Sequence, residues 1–204
     1  MKQTILLALM CVTALLMLSA CPAKEAPETT DSGVVDTGAT STTGTATTSD
    51  QSIVADSGFA ATAAEGGMAE VALSQLAAGK ASHADVKAFA QKMVADHGRA
   101  NDELRQVAAS RSMTLPSSLS AEHQQVRDKL NTLTGAEFDR EYMRVMVADH
   151  TKAVAGFENE AGSGSDADMK NWASNKLSTL REHKQMAQDL ATKVGVSTSP
   201  SSTP

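Results

Sequence analysis

An all-α fold, a four-helix bundle made of two antiparallel hairpins, is what this chain of 204 residues predicts. Three observations carry the expectation. Between residues 51 and 194 apolar side chains recur at three- and four-residue steps, the period of a helix that buries one face. The stretch is alanine-rich and shows no strand-like alternation, and aromatic residues are only 3% of the chain. Finally, the helix signals fall into two pairs with very short turns inside each pair, so each pair must double back on itself.

The first element lies outside that bundle. MKQTILLALMCVTALLMLSAC opens with one lysine and an apolar run from Ile5 to Leu18, too short for a comfortable membrane span, so residues 1–20 read as a secretory signal. Leu18-Ser19-Ala20-Cys21 resembles the lipobox of bacterial lipoproteins, in which the cysteine becomes the lipidated first residue of the mature chain. Cys11 leaves with the signal on this reading, so no disulfide forms within one chain. Several acyl chains give firm membrane attachment, at about 0.8 kcal/mol per buried methylene. Pro22, rather than aspartate, after the cysteine points by resemblance to enterobacterial sorting to the outer membrane, with the domain facing the periplasm or the cell surface. Residues 21–50 hold no aromatic side chain and abundant Thr, Ser and Gly. Such a segment buries too little surface to offset its ordering entropy and reads as a disordered tether. Residues 197–204 read as a similar tail.

Within the domain, 51–196, long helices are expected at about 52–78, 82–111, 135–161 and 166–194, with a shorter one at about 120–133. Ser82 with Asp85, Thr134 with Glu137 and Ser165 with Asp168 have capping-box spacing. Gly79, Gly162 and Gly195 sit where left-handed helix stops belong, and Pro116 follows the second helix. The link from 112 to 134 can reach roughly 50 Å, against about 45 Å for the thirty-residue second helix. It can therefore return along the bundle and set the second and third long helices parallel, the ferritin-like layout. An up-down-up-down bundle is the alternative, with an unusually long link.

A short repeat raises the question of chemistry. KMVADH, Lys92 to His97, returns as VMVADH, Val145 to His150. At 100° per residue His97 falls amid the apolar stripe of the second helix, with Met93 and Leu104. His150 does the same with Met146 and Phe157, while Asp96 and Asp149 flank the core. Glu70 lines up with Phe59 and Ala77, and His183 with Trp172 and Ala187, beside Lys176 as an awkward neighbour. Each long helix thus aims one ionisable group inward: Glu70, His97, His150 and His183. Counted from the helix ends, His97 and His150 share one layer, and Glu70 and His183 form another roughly 9 Å away.

Two chemistries fit. One is a metal site, since histidine and carboxylate suit zinc, iron or copper, with Asp96, Asp149, Met93, Met146 and Tyr142 as supporting residues. The other is a hydrogen-bonded polar layer that fixes helix register in a non-catalytic structural or interaction module. The methionines equally read as core filling. A di-iron centre needs Glu-x-x-His on two helices, and Val94, Val147 and Leu180 stand three before the histidines instead. No phosphate loop or nucleophile elbow is present. His83 and His123 read as solvent-facing without partners. Sixteen Lys and Arg against nineteen Asp and Glu in residues 51–194, with no basic cluster, argue against nucleic acid as a partner. The remaining partner is the membrane, through the lipid anchor.

AAEGGMAEVALSQLAAGKAS, VKAFAQKMVADHGRANDEL, LTGAEFDREYMRVMVADH and LREHKQMAQDLA together are similar to an exported bacterial family, the domain of unknown function 4142, over about 53–190. The family pattern covers Glu70, Phe89, Met93, Asp96, His97, Phe138, Asp139, Tyr142, His150 and His183. Leu177-Ser178 stands where the family typically has Leu-Pro. The resemblance implies a ferritin-like helical bundle and supplies no reaction. The function expected is metal binding or buffering in the envelope, or an envelope-stress module, through the core histidines.

Overall fold

The computed structural model describes residues 46–196, with side chains from 54 onward. The signal segment, Cys21 with most of the tether, and the tail from 197 lie outside the described residues. Within them the chain is all-helical: α1 Ala46–Lys80, α2 Ala84–Ser110, α3 Ala121–Thr132, α4 Gly135–Ser163 and α5 Ala167–Lys193. None of these helices is long and apolar enough to cross a membrane.

Element order follows expectation, with one shift at the start. α1 begins at Ala46 and so takes in residues 46–50, which composition had assigned to the tether. Extending a helix that already exists fixes one residue per added hydrogen bond, so weak helix formers can ride on a nucleated rod.

α1 packs mainly on α2 and α4 mainly on α5, while α1 also touches α4 and α2 touches α5. The interior is divided in two. One apolar cluster gathers Leu73, Phe89, Met93, Tyr142 and Met146. The other gathers Ala60, Leu104, Phe157, Trp172 and Leu180. Full burial of each large side chain contributes about 1.5–3 kcal/mol, so both halves are well supported. α3 crosses outside, with Leu130 fully buried as its plug into the first cluster. Its N-cap Ser120 accepts from the His123 N–H.

The helix ends are tied by a pattern that recurs every eighty-three residues. Asp139 on α4 accepts the N–H groups of Ser82 at 3.0 Å and His83 at 2.8 Å, and the Ser82 hydroxyl as well. Asp56 on α1 accepts the N–H groups of Ser165 at 3.0 Å and Asp166 at 2.7 Å. Each hairpin thus caps the turn of the other. His83 and Asp166 are the N-cap residues proper, accepting from the N–H of Asp85 and Asp168. At the opposite ends Met113 N–H donates to Ala108 O, and Val196 N–H to Ala191 O, closing over Ser112 and Gly195 with φ of 55° and 83°. Arg111 bridges to Asp166 and Asp168, and Lys193 to Asp85.

These contacts fix direction. The starts of α2 and α4 lie together, and the beginning of α5 lies against the first part of α1. α2 and α4 therefore run one way, and α1 and α5 the other. They also correct the expected caps. Ser82 and Ser165 precede the caps and donate across the bundle, and Thr134 makes no side-chain cap bond. Gly79 and Gly162 lie inside their helices, and of the three expected stops only Gly195 is left-handed.

One carboxyl has no counterpart in the repeat. Glu160 is buried beside the α4–α5 turn with Oε1 unpartnered, folded against Gly164, where a side chain would collide with it. Burial first, and then the charges of Asp56 and Asp166, push its pKa up to about 7. The folded state therefore holds a proton that the unfolded chain has already lost between about pH 4.5 and 7. Stability falls as pH rises through that window. Glu160→Gln is expected to flatten the dependence and to stabilise the chain by about 1–2 kcal/mol at pH 8. Urea unfolding of both proteins at pH 5 and pH 8 checks this; equal losses in the two would refute it.

Candidate metal centre

The polar layer lies between the two apolar clusters. Glu70, His97, His150 and His183 are 5%, 6%, 0% and 1% exposed, so the inward aim expected of all four is what the fold delivers. The three imidazoles form a near-equilateral triangle, with ring centroids 5.4 Å apart for His97–His150, 5.3 Å for His97–His183 and 5.5 Å for His150–His183.

The expected separation into two layers is not found. Side chains on a helix lean toward its N-terminus. Since α1 and α5 run against α2 and α4, Glu70 and His183 lean one way and His97 and His150 the other. The offset counted between backbones is closed by the side chains.

One nitrogen of each ring is held by a group that can only accept. His97 Nδ1 lies 2.8 Å from Glu70 Oε2. His150 Nδ1 lies 3.0 Å from the Met146 carbonyl, and 3.3 Å from Glu70 Oε1. His183 Nε2 lies 3.0 Å from Asp96 Oδ2, which Lys92 holds at 3.0 Å. A neutral imidazole has a single N–H, so these partners place it on the named nitrogen and leave a bare lone pair on the other. Those other nitrogens, His97 Nε2, His150 Nε2 and His183 Nδ1, are buried and without any hydrogen-bond partner. The three rings together form a group of ligand atoms lying within 4.8 Å of one another. Tetrahedral zinc at about 2.0–2.1 Å needs its nitrogens about 3.3 Å apart, which the rings reach by moving inward at most about 0.9 Å each.

Electrostatics keep the set ready. Burial, then the neighbouring His97, pulls the His183 pKa down to about 4 in spite of Asp96. His150 is also lowered, chiefly by burial. For His97 burial is outweighed by the charge and hydrogen bond of Glu70, and its pKa is raised. Burial opposes the charge of Glu70, yet His97 and His150 hold it down to about 2. At neutral pH two rings are thus uncharged donors, and one is stabilised by a carboxylate.

The supporting residues separate. Glu70, expected as a ligand, lies outside the group of candidate ligands and stands behind His97 as its orienting carboxylate. Asp96 does the same for His183. Asp149 contacts none of the rings by hydrogen bond; it lines the adjoining cavity, and burial followed by the Glu70 charge raises its pKa to about 6. Met93 and Met146 pack in the first apolar cluster, and Met146 serves the centre only through its backbone carbonyl. Tyr142 gives its hydroxyl to a bond with Ser74 at 2.8 Å, and burial raises its pKa.

Several groups were missed by sequence reasoning. His123 is not partnerless: its Nδ1 lies 3.1 Å from Glu65 and 3.0 Å from the Ser120 hydroxyl, tying α3 over the α1–α4 side. His83 caps α2. Lys176 is half-buried and paired with Glu103. The cross-hairpin caps had a signal in the sequence: Asp-x-x-aromatic at Asp56–Phe59 and Asp139–Tyr142, each followed by Ser-x-Ala-Asp at Ser82–Asp85 and Ser165–Asp168.

A cavity of 830 Å³ adjoins the layer, with His97, His183 and Glu70 in its wall and residues from all five helices around it. Gly67 leaves room there for the Asn101 side chain, whose amide oxygen a Cβ would meet.

A family model described as Domain of unknown function (DUF4142) matches residues 38–190. No curated protein and no solved structure matches the chain.

Proposed function

We propose, for a chain that belongs to the DUF4142 family, that it is a metal-binding protein whose site is the His97–His150–His183 triangle. The observation that carries this is the trio of buried, unpartnered ring nitrogens whose opposite nitrogens are each anchored by an acceptor. A purely structural polar layer has no use for three bare lone pairs, because each costs free energy when buried unpaired. Histidine ligands backed by carboxylates and a backbone carbonyl are the usual outer support of such centres. Two imidazoles uncharged at neutral pH, and a third that gives up its proton to the ion while Glu70 holds its other nitrogen, suit Zn²⁺ or Cu²⁺, with Zn²⁺ the natural test ion.

Titrating metal-stripped full chain with Zn²⁺ by calorimetry is expected to give one ion per chain. At a hundredfold excess over Kd the ion stabilises the fold by about 2.7 kcal/mol. No binding by Zn²⁺ or Cu²⁺, with an unmoved melting temperature, would sink the reading.

The finer architecture we read is ferritin-like: two hairpins joined by a crossover that carries α3. The parallel course of α2 and α4, tied through Asp139, supports it. For location, the reading is a lipid-anchored envelope protein, supported by Leu18-Ser19-Ala20-Cys21. Palmitate labelling that persists in Cys21→Ser would remove it.

A further inference from the structure

We propose that the fourth coordination position of this centre opens into the cavity and is filled there by an uncharged small molecule, in which one donor atom leads an apolar body about 10 Å long. The proposal rests on the metal reading above and extends it to a ligand.

Three protein nitrogens leave a tetrahedral ion one position short, the arrangement of exchangeable rather than closed sites. No carboxylate joins the candidate ligand group among the described residues. Two of the three rings, His97 and His183, form part of the cavity wall. Its 830 Å³ falls within the usual range for small-molecule sites.

The eighty-three-residue repeat explains why space exists at this spot. The positions equivalent to His150 and His183 are Gly67 and Ala100, and those equivalent to Glu70 and His97 are Ala153 and Leu180. All four line the cavity. What imidazoles and a carboxylate fill on one side of the pseudo-symmetric pair, glycine, two alanines and one leucine leave largely empty on the other. The gap lies on the side of the layer facing the second apolar cluster.

The far wall gives the ligand its character. Phe59, Phe157 and Trp172 meet there, with ring centroids 5.0 Å apart for Phe59–Phe157 and 5.2 Å for Phe157–Trp172. Seven residues of α4 separate Phe157 from His150, about 10 Å of rise. Trp172 Nε1 is buried and unpartnered, a donor available to an acceptor on the far end of the ligand. Seven carboxylates outnumber five lysines and arginines around the cavity, which disfavours an anion. Lys92, Arg99, Lys176 and Arg144 are already engaged by Asp96, Glu103 or Glu141. An uncharged donor, such as the nitrogen of an aromatic heterocycle, fits both ends.

The test loads the full chain with Co²⁺, whose tetrahedral complexes absorb visible light, and titrates it with imidazole and with 4-phenylimidazole. Both are expected to shift the spectrum, the phenyl compound at least about 10-fold tighter, from burial of its ring. Trp172, the one tryptophan of the chain, should report the phenyl compound in its emission with the same midpoint. Ala100→Leu fills the empty layer and should erase the phenyl advantage while Co²⁺ still binds. Equal affinities, or an unmoved Trp172 emission, on a Co²⁺-loaded chain overturn the proposal and leave the metal reading standing. A Co²⁺ spectrum indifferent to both compounds means a closed site and does the same. Failure of any metal to bind overturns both.

Discussion

His150→Leu is expected to lower Zn²⁺ affinity at least about 10³-fold while raising the stability of the metal-free chain by about 1 kcal/mol. The two effects have one origin. His150 is the most deeply buried of the three rings, and its Nε2 has no partner. Without metal that lone pair is a buried polar atom paid for by nothing, and leucine of similar volume removes it. With metal it is one of three bonds, and two imidazoles cannot hold the ion against water. Glu70→Gln should be milder, about 10–100-fold, since it loosens the His97 ring and the longer contact to His150 without removing a ligand. Calorimetric titration with Zn²⁺ and urea unfolding in the presence of a chelator separate the two quantities. A His150→Leu chain that binds Zn²⁺ like the wild type would place the site elsewhere.

The second large effect is structural. Asp139→Ala removes the acceptor of two backbone N–H groups and the Ser82 hydroxyl at the start of α2, at a cost of about 2–4 kcal/mol. The lost charge adds to it, because a carboxylate at a helix N-terminus is favoured by the helix dipole. Asp56→Ala should cost a similar amount at the start of α5. α2 spans the gap between these sites, about 40 Å for its length. Losses at that distance should add within about 0.5 kcal/mol. Urea unfolding of the two single variants and the double variant measures this, and strong non-additivity would mean that the caps report on something other than two separate turns.

Helix periodicity was enough to pick out Glu70, His97, His150 and His183 as the inward ionisable groups, because angle about a helix depends only on position in the chain. Their height was not legible in the same way. It depends on which way neighbouring helices run and on the lean of each side chain, and both are tertiary facts. The local caps misled for a related reason. Ser82-x-x-Asp85 looks self-sufficient in one dimension, yet Ser82 spends its N–H and O–H on an aspartate fifty-seven residues away. The KMVADH repeat, at a spacing of fifty-three, matched α2 with α4 and drew attention from the weaker pattern at eighty-three. Only the second relates the hairpins, and only the second accounts for where the cavity lies. Tyr142 and Asp149 were marked for the centre by type and nearness in sequence. Ser74 and the cavity, neither visible from a single helix, took them instead.

The reciprocal aspartates have a consequence for how the molecule comes together. Each hairpin caps its own second helix in part, but the backbone N–H groups of its bend find their carboxylate only on the other hairpin, so a chain with only its first half made leaves them to water. Assembly is thereby pushed toward all or none: the late half does not dock onto a completed early half, but completes it.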